Sequence, residues 1–235
     1  MKGCESSRLE ITTSFADEMK GLQKFAFGPF GENTYLVEVS AEQVVVVDPG
    51  MSNGPERTAF DQAVAATGRQ LVDCLLTHAH LDHVAGLGHV SETYGCQPRL
   101  HPDDAQTYRQ APISAQLYGF PMDPLPETVR YDLAHGQTLS WGEGRQLKVR
   151  FVPGHAPGHV VFICHEEGWL IGGDTLFDGS VGRTDLPGGD AATLMDSIRR
   201  ELYVLPEEMV VHPGHGPATT IGKESRTNPF VRGAF

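Results

Sequence analysis

The sequence is short of positive charge. Its 18 Lys and Arg residues stand against 30 Asp and Glu residues, so the formal net charge is −12 at pH 7. Nucleic acids and anionic membrane surfaces carry the same sign of charge and would repel such a chain. No cluster of basic residues interrupts this pattern. We therefore expect neither nucleic acid nor a membrane surface as a partner.

Cysteine is also scarce, and its spacing excludes two kinds of site. The four cysteines, Cys4, Cys74, Cys96 and Cys164, are scattered and form no C-x-x-C pair. A structural zinc ribbon and a dithiol redox site are therefore disfavoured. Cys74 and Cys164 fall inside predicted strands, which indicates buried free thiols. This usage is typical of the reducing cytoplasm, where we expect the protein to be located.

Long hydrophobic runs are absent. No stretch approaches the length of a membrane span, and residues 1–22 lack the apolar segment of a secretory signal. A chain of 235 residues with 40% hydrophobic and 20% charged residues suits one large α/β domain. We predict an N-terminal extension over residues 1–22 and a single domain over residues 23–235.

The most informative stretch that is present reads Thr-His-Ala-His-Leu-Asp-His over residues 77–83. It follows a short apolar run over residues 71–76, which predicts a buried strand. Ligand sites of α/β sheets form at the carboxyl ends of strands. Imidazole and carboxylate groups together suit zinc, iron or another divalent ion of intermediate hardness. The stretch therefore predicts part of a metal site.

The spacing within this motif suggests two groups of ligands. Alternate residues of an extended segment point the same way, so His78 and His80 can hold one ion from the same side. Asp82 and His83 are adjacent and follow a turn, so their side chains diverge from the first pair. They could serve a second ion nearby.

Further metal ligands must come from elsewhere, because zinc takes three or four protein ligands. Three candidates are His155, Asp174 and His215, each in a Gly-rich turn after a predicted strand. Any one of them alone would more often be an ordinary loop or core residue. Four ligand-bearing strand exits in one chain predict a metal centre. Asp48 follows the valine-rich run over residues 43–47, and we predict that it accepts the second N–H of a ligand histidine.

Periodicity and turn residues predict the remaining elements. A helix over residues 84–94 would point its positive N-terminal end towards Asp82. Residues 102–127, with their many prolines, are predicted to be short helices and a loop that overhangs the site. The other predicted strands are 22–27, 34–39, 98–101, 137–141, 145–152, 159–165, 168–172 and 208–212, and the other helices are 55–67 and Asp190 to about 202.

In order, the motifs HAHLDH, PGH, GGDTLF and PGHG resemble those of the metallo-β-lactamase fold superfamily. The finer resemblance, over residues 25–230, is to its glyoxalase II-like hydrolases, the hydroxyacylglutathione hydrolase family. It implies a four-layered αβ/βα sandwich, with two mixed sheets inside and helices outside. Other segments that match the family are residues 31–35, 48–50, 182–185, 222–224 and 228–230.

The resemblance also implies roles for the ligands. One ion would be held by His78, His80 and His155, and the other by Asp82, His83 and His215, with Asp174 bridging both. The two divalent ions are expected to be Zn²⁺, with iron or manganese as alternatives. A hydroxide between them would attack the acyl carbonyl of a thioester such as S-D-lactoylglutathione. Asp82 would have a catalytic role as well, by orienting that hydroxide.

Three alternatives remain open. A persulfide dioxygenase of the same fold would hold one iron with His78, His155 and Asp174 and act on glutathione persulfide. Another metallo-hydrolase of this fold would act on an ester or lactone. A metal-binding scaffold without catalysis is disfavoured, because structural zinc sites are closed and usually rich in cysteine. A β-lactam substrate is also disfavoured, because common zinc β-lactamases have cysteine where this chain has Asp174.

Contacts to the substrate are harder to predict. We expect Arg183 and Asp185 to form an ion pair that holds a loop, although Arg183 could also meet an anionic substrate. Tyr118 and Phe120 are candidates for the wall of the acyl or thiol pocket. Full-length glyoxalase II proteins carry a C-terminal helical segment that binds glutathione. The sequence lacks that segment after residue 230, so the thioester chemistry is a firmer expectation than the glutathione part.

Overall fold

Two mixed β-sheets face each other in the computed structural model, which describes residues 21–232. The first sheet has its strands in sequence order, antiparallel from β1 to β3 and parallel from β3 to β5. Its members are β1 (Leu22–Phe27), β2 (Glu32–Glu38), β3 (Gln43–Val47), β4 (Gln70–Leu75) and β5 (Pro98–Arg99).

The second sheet has six strands in the order β13-β12-β9-β8-β7-β6, and only β9 and β12 run parallel. A separate two-stranded hairpin, β10–β11, lies between β9 and β12 in sequence. The strands are β6 (Thr138–Ser140), β7 (Gln146–Phe151), β8 (Val160–Cys164), β9 (Trp169–Gly173), β10 (Leu176–Phe177), β11 (Ser180–Val181), β12 (Val210–Pro213) and β13 (Thr219–Thr220).

Helices connect the strands and cover both sheets. A 3₁₀ turn over Pro102–Asp104 leads into α3, and a π turn over Ile198–Leu202 extends α4. The helices are α1 (Gly54–Thr67), α2 (Leu87–Tyr94), α3 (Ala105–Tyr118), α4 (Ala191–Ser197) and α5 (Ile221–Thr227).

The four consecutive valines of β3 show how the layers are built. Val45 and Val47 belong to the apolar cluster between the two sheets, whereas Val44 and Val46 belong to the cluster beneath α1. Successive side chains of a strand point to opposite faces, so a strand that is covered on both sides is apolar throughout. A third cluster lies between the second sheet and α4. The predicted four-layered αβ/βα arrangement is therefore confirmed.

Local signals define α1 as predicted. The Asn53 side chain accepts a hydrogen bond from the Glu56 backbone N–H at 3.0 Å and caps the first turn. Gly68 ends the helix in the left-handed conformation, with φ of 65°. Phe60 and Val64 on the covered face are buried against the first sheet.

Two helix predictions for the middle of the chain differ from the structure in their bounds. The predicted helix after the histidine motif is present and ends at Tyr94, but it begins at Leu87, five positions after Asp82, because residues 84–86 form turns. The short helices predicted within residues 102–127 are present as the 3₁₀ turn and α3, but α3 is a regular helix of 14 residues with Pro112 inside it. An internal proline costs about 3 kcal/mol. The burial of Tyr108 and of two alanines on the same face offsets this, because each packs into the cluster beneath α3.

The predicted N-terminal extension lies mostly outside the described residues, because residues 1–20 are not among them. Leu22, which the prediction assigned to the extension, belongs to β1 and pairs with Val37. The single domain over residues 23–235 stays a prediction. Cys74 and Cys164 are buried free thiols, as predicted. Within residues 21–232 no helix has the length and apolar character to cross a bilayer.

Substitution of Asp190 with alanine is expected to lower the free energy of unfolding by about 1 kcal/mol, because the Asp190 side chain caps α4 through the Thr193 N–H. Chemical denaturation would measure the change. Asp196→Ala is the matched control, since it removes the same charge from an exposed position of α4, where its pair with Arg200 is worth little. Equal midpoints for the two variants would contradict the capping role.

Candidate metal centre

The predicted ligands all follow strand ends at one edge of the two sheets. The loop after β4 carries His78, His80, Asp82 and His83, and single residues follow three strands of the second sheet. These are His155 after β7, Asp174 after β9 and His215 after β12. The structure brings six of the seven side chains into two adjacent clusters, and the Asp174 carboxylate lies within 3.6 Å of histidine nitrogens of both.

The first cluster consists of three imidazoles. His155 Nε2 lies 3.2 Å from His78 Nε2 and 2.8 Å from His80 Nδ1. His78 and His155 are buried, and His80 is half-buried. Burial lowers the pKa of His80 to about 3, and burial also lowers the pKa of His78 and of His155. Neutral imidazoles whose nitrogens converge in this way offer lone pairs to a cation.

The second cluster combines a carboxylate with two imidazoles. His215 Nε2 lies 3.2 Å from Asp82 Oδ2, and His83 Nε2 lies 4.0 Å from the same oxygen. Burial opposes the ionised form of Asp82, but the neighbouring His83 and His215 hold its pKa below the ordinary value. The carboxylate is therefore ionised at neutral pH and available as a ligand.

Asp174 lies between the two clusters. Its Oδ1 is 3.5 Å from His83 Nε2, whereas its Oδ2 is 3.5 Å from His155 Nε2 and 3.6 Å from His215 Nε2. The carboxylate can therefore offer one oxygen to each cluster. Gly214 permits this approach, since a Cβ there would lie 2.1 Å from Asp174 Oδ1.

Two buried atoms support the fit of this donor set to metal ions. His83 Nε2 and Asp174 Oδ1 have no hydrogen-bond partner within the described part of the chain. A buried polar atom without a partner is unfavourable unless something compensates for its lost hydration. Both atoms face the centre, and a divalent cation there would satisfy them. The His/Asp site is thus capable of holding two metal ions.

Asp48 lies behind the ligands, on the Nδ1 side of His83. Its Oδ2 is 3.0 Å from that nitrogen and accepts a 2.5 Å hydrogen bond from the Thr77 hydroxyl. Because the Thr77 hydroxyl donates to Asp48, it accepts from His78 Nδ1 at 3.0 Å. One carboxylate thereby orients an imidazole of each cluster. These contacts match the interaction predicted for Asp48, and its effect on metal binding stays a prediction.

Backbone carbonyls orient two further ligands. His155 Nδ1 donates to the Arg183 carbonyl at 2.7 Å, and His215 Nδ1 donates to the Phe30 carbonyl at 3.2 Å. In both residues the Nε2 atom is left for the centre. His80 differs, because its Nδ1 faces the first cluster.

Two residues that support the ligand loops carried no clear signal in the sequence. The buried Asp104 carboxylate accepts from Ala79 N–H at 2.6 Å and from Gly158 N–H at 3.2 Å, which joins the loops of His78 and His155. His159 Nε2 accepts from the Asp174 backbone N–H at 3.0 Å. Aspartate and histidine are ordinary residues at turns and strand starts, so their positions in the sequence do not reveal that Asp104 and His159 support the ligand loops.

The hairpin β10–β11 is held in place by α5. Glu224 accepts a 3.0 Å hydrogen bond from the Gly179 N–H, and Asn228 donates one of 3.0 Å to the Ser180 carbonyl. A 2.8 Å hydrogen bond joins the Glu224 and Asn228 side chains. The segments at residues 222–224 and 228–230, which resemble those of the family, therefore contain the side chains that fix the hairpin.

A cavity of about 600 Å³ opens onto the centre. Tyr118 and Arg183 line it, and Arg183 forms the predicted ion pair with Asp185. Phe120 does not line it, so that prediction is wrong: its ring is buried beneath Phe30, with ring centroids 5.0 Å apart. The lining residues are Phe30, Ala79, His80, Leu81, Asp82, Thr107, Gln110, Ala111, Ser114, Leu117, Tyr118, His155, Asp174, Phe177, Ser180, Val181, Arg183, Leu186, Pro187 and His215.

Comparison with known families agrees with this architecture. The model of the metallo-beta-lactamase superfamily matches residues 27–215, which include both clusters. The chain belongs to this superfamily. Hydroxyacylglutathione hydrolase GloC of Haemophilus influenzae is 36% identical over 205 residues, which span 86% of this chain and 93% of the relative. A protein named as a hydrolase is therefore among the relatives of this chain.

Two solved structures are also similar. TTHA1623, solved in a di-iron-bound form, is 42% identical with a TM-score of 0.80, and the match covers 89% of this chain and 100% of that one. The B3 metallo-beta-lactamase BLEG-1 is 33% identical with a TM-score of 0.81, and the match covers 90% and 100% of the two chains. The chain is thus a metallo-hydrolase of this fold.

Substitution of Asp48 with asparagine is expected to weaken metal binding about 10- to 100-fold, because the amide keeps the shape but replaces an acceptor of the ligand histidine. Competition with a chromophoric chelator would measure the affinity. Asp61→Asn is the matched control, since Asp61 accepts from His89 Nε2 at 2.9 Å away from the centre. Equal affinities in the two variants would count against a role for Asp48.

Proposed function

We propose that this superfamily member is a dinuclear metal-dependent hydrolase that cleaves a thioester such as S-D-lactoylglutathione. The observation that carries the proposal is the position of Asp174, which has one oxygen within 3.5 Å of a nitrogen of the second cluster and the other within 3.5 Å of a nitrogen of the first. The 36% identity to hydroxyacylglutathione hydrolase GloC supports the choice of a thioester.

The proposed ligand sets are His78, His80 and His155 for one ion and Asp82, His83 and His215 for the other, with Asp174 shared. Bound divalent ions supply a water molecule of lowered pKa and stabilise negative charge on a carbonyl oxygen. Asp82 lines the cavity and is ionised, so it can accept a hydrogen bond from the attacking water and orient it. No serine or cysteine nucleophile is needed.

The metal proposed is zinc, because imidazole and carboxylate ligands with an accessible position are typical of catalytic zinc sites. Iron suits the same ligands, and TTHA1623 is a di-iron-bound relative in structure. The free buried thiols support a cytoplasmic location, which we also propose.

Two other candidate functions each have a specific observation in their favour. A mononuclear iron persulfide dioxygenase would use His78, His155 and Asp174, whose donor atoms are also adjacent. A mononuclear mechanism would not use the second cluster as a metal site. A β-lactamase is favoured by the similarity to BLEG-1. An ester or lactone would suit the same hydrolytic chemistry as the thioester.

Metal content and hydrolysis, measured on the same preparation, test the proposal. We expect two ions per chain and cleavage of S-D-lactoylglutathione, with activity lost on chelation and restored by Zn²⁺. Parallel assays with a β-lactam and with glutathione persulfide, followed by oxygen uptake, separate the alternatives. One iron per chain with oxygen uptake and no hydrolysis would replace the proposal with the dioxygenase.

Substitution of Asp174 with alanine is expected to reduce the metal content to one ion or fewer and to lower kcat/KM at least 100-fold, because both clusters lose a shared donor. Elemental analysis and the thioester assay measure the two effects. Asp196→Ala serves as the control, since it removes an exposed carboxylate on α4. Retention of two ions and full activity in Asp174→Ala would rule out the shared-ligand mechanism.

A further inference from the structure

The cavity has little charge beyond the metal centre. Among its lining residues in the described chain, Arg183 is the only Lys or Arg, and the carboxylates of Asp82 and Asp174 belong to the centre. Apart from the imidazoles of the ligands His80, His155 and His215, the remaining polar side chains of the lining are hydroxyls and one amide. The part of a substrate that extends away from the centre would therefore meet mostly neutral surface.

The Arg183 guanidinium already pairs with the carboxylate of Asp185. Its Nε lies 2.7 Å from Asp185 Oδ1, and its Nη2 lies 2.7 Å from Asp185 Oδ2. This two-pronged contact is the one a substrate carboxylate would make with a guanidinium. The hydrogen bond from Arg183 lowers the pKa of Asp185 to about 2, so the internal partner stays ionised at neutral pH. A substrate carboxylate would have to displace it.

Apolar groups dominate the mouth of the cavity. Leu117, Tyr118 and Phe30 are 79%, 58% and 52% exposed, although each is a large apolar or aromatic side chain. All three line the cavity, together with Phe177 and Val181 of the hairpin. Such a surface favours a ligand with an apolar or uncharged body.

We propose that this cavity selects thioesters whose thiol part is uncharged, and that Asp185 contributes to this selectivity by pairing with the Arg183 guanidinium. Glutathione carries two carboxylates, which would find no unpaired Lys or Arg among the described lining residues. The inference rests on the proposed thioester hydrolysis and narrows its substrate class.

The test compares kcat/KM of the metal-loaded enzyme for two lactoyl thioesters. One is S-D-lactoylglutathione, and the other is the neutral S-D-lactoyl-N-acetylcysteamine. We expect the neutral thioester to be cleaved with at least a tenfold higher kcat/KM. Asp185→Asn is expected to raise the ratio of the glutathione to the neutral substrate about threefold, through a lower KM for the anionic substrate, because it frees an exposed guanidinium.

Two variants control the interpretation. Asp196→Asn also removes a negative charge that pairs with an arginine, but that arginine, Arg200, lies in the π turn after α4 and outside the cavity lining. It is expected to leave the substrate ratio at the wild-type value. Arg183→Gln is likewise expected to keep the ratio within twofold of wild type, because the guanidinium is already masked.

The outcomes separate the inference from the proposed function. Preference for S-D-lactoylglutathione in the wild type, or a selective loss of that substrate in Arg183→Gln, would overturn the inference and leave thioester hydrolysis standing. An equal ratio in Asp185→Asn and Asp196→Asn would also overturn it, since Asp185 would then not contribute to selectivity. Failure of the loaded enzyme to cleave either thioester would reject the proposed function and the inference together.

Discussion

The rest of the structure depends on one constraint, which is that buried imidazole and carboxylate groups must be held close together with their lone pairs directed at the same centre. Five imidazoles and two carboxylates meet at one sheet edge, and His83 Nε2 and Asp174 Oδ1 have no hydrogen-bond partner within residues 21–232. Each unsatisfied buried group costs about 1–3 kcal/mol. Such a cluster persists only where the surrounding structure holds it. The contacts of Asp48, Asp104 and His159 with the ligand loops provide that support.

Asp48 shows how local strain and this support are combined. It is the only non-glycine residue with positive φ in the described chain, at 50°, and this conformation is unfavourable for a residue with a side chain. Its carboxylate accepts from His83, from the Thr77 hydroxyl and from the Thr77 N–H at 2.7 Å. These hydrogen bonds offset the strain and orient ligands of both clusters. The strand end at β3 is thus adapted to the centre.

Much of this arrangement was predictable from the sequence, for physical reasons that also explain the failures. The valines of β3 and the ligands after β4 follow from short-range patterns of strand and turn. The length of helix α3 does not follow from such patterns, because the burial of Tyr108 outweighs the cost of Pro112 only once the first sheet is present. Asp104 accepts a hydrogen bond from the backbone N–H of Ala79. The two residues are 25 positions apart in the sequence, so only folding brings them together. Long-range polar contacts of this kind leave no periodic signal.

The hairpin β10–β11 separates two properties of the enzyme. Its Phe177 and Val181 line the cavity, but Glu224 and Asn228 of the α5 region hold it from behind, and none of these residues belongs to the metal clusters. The hairpin part of the cavity wall is therefore held by residues that are not ligands of the centre, although five ligands also line the cavity. Changes in the hairpin can diversify the range of substrates among relatives while the chemistry at the centre is inherited intact.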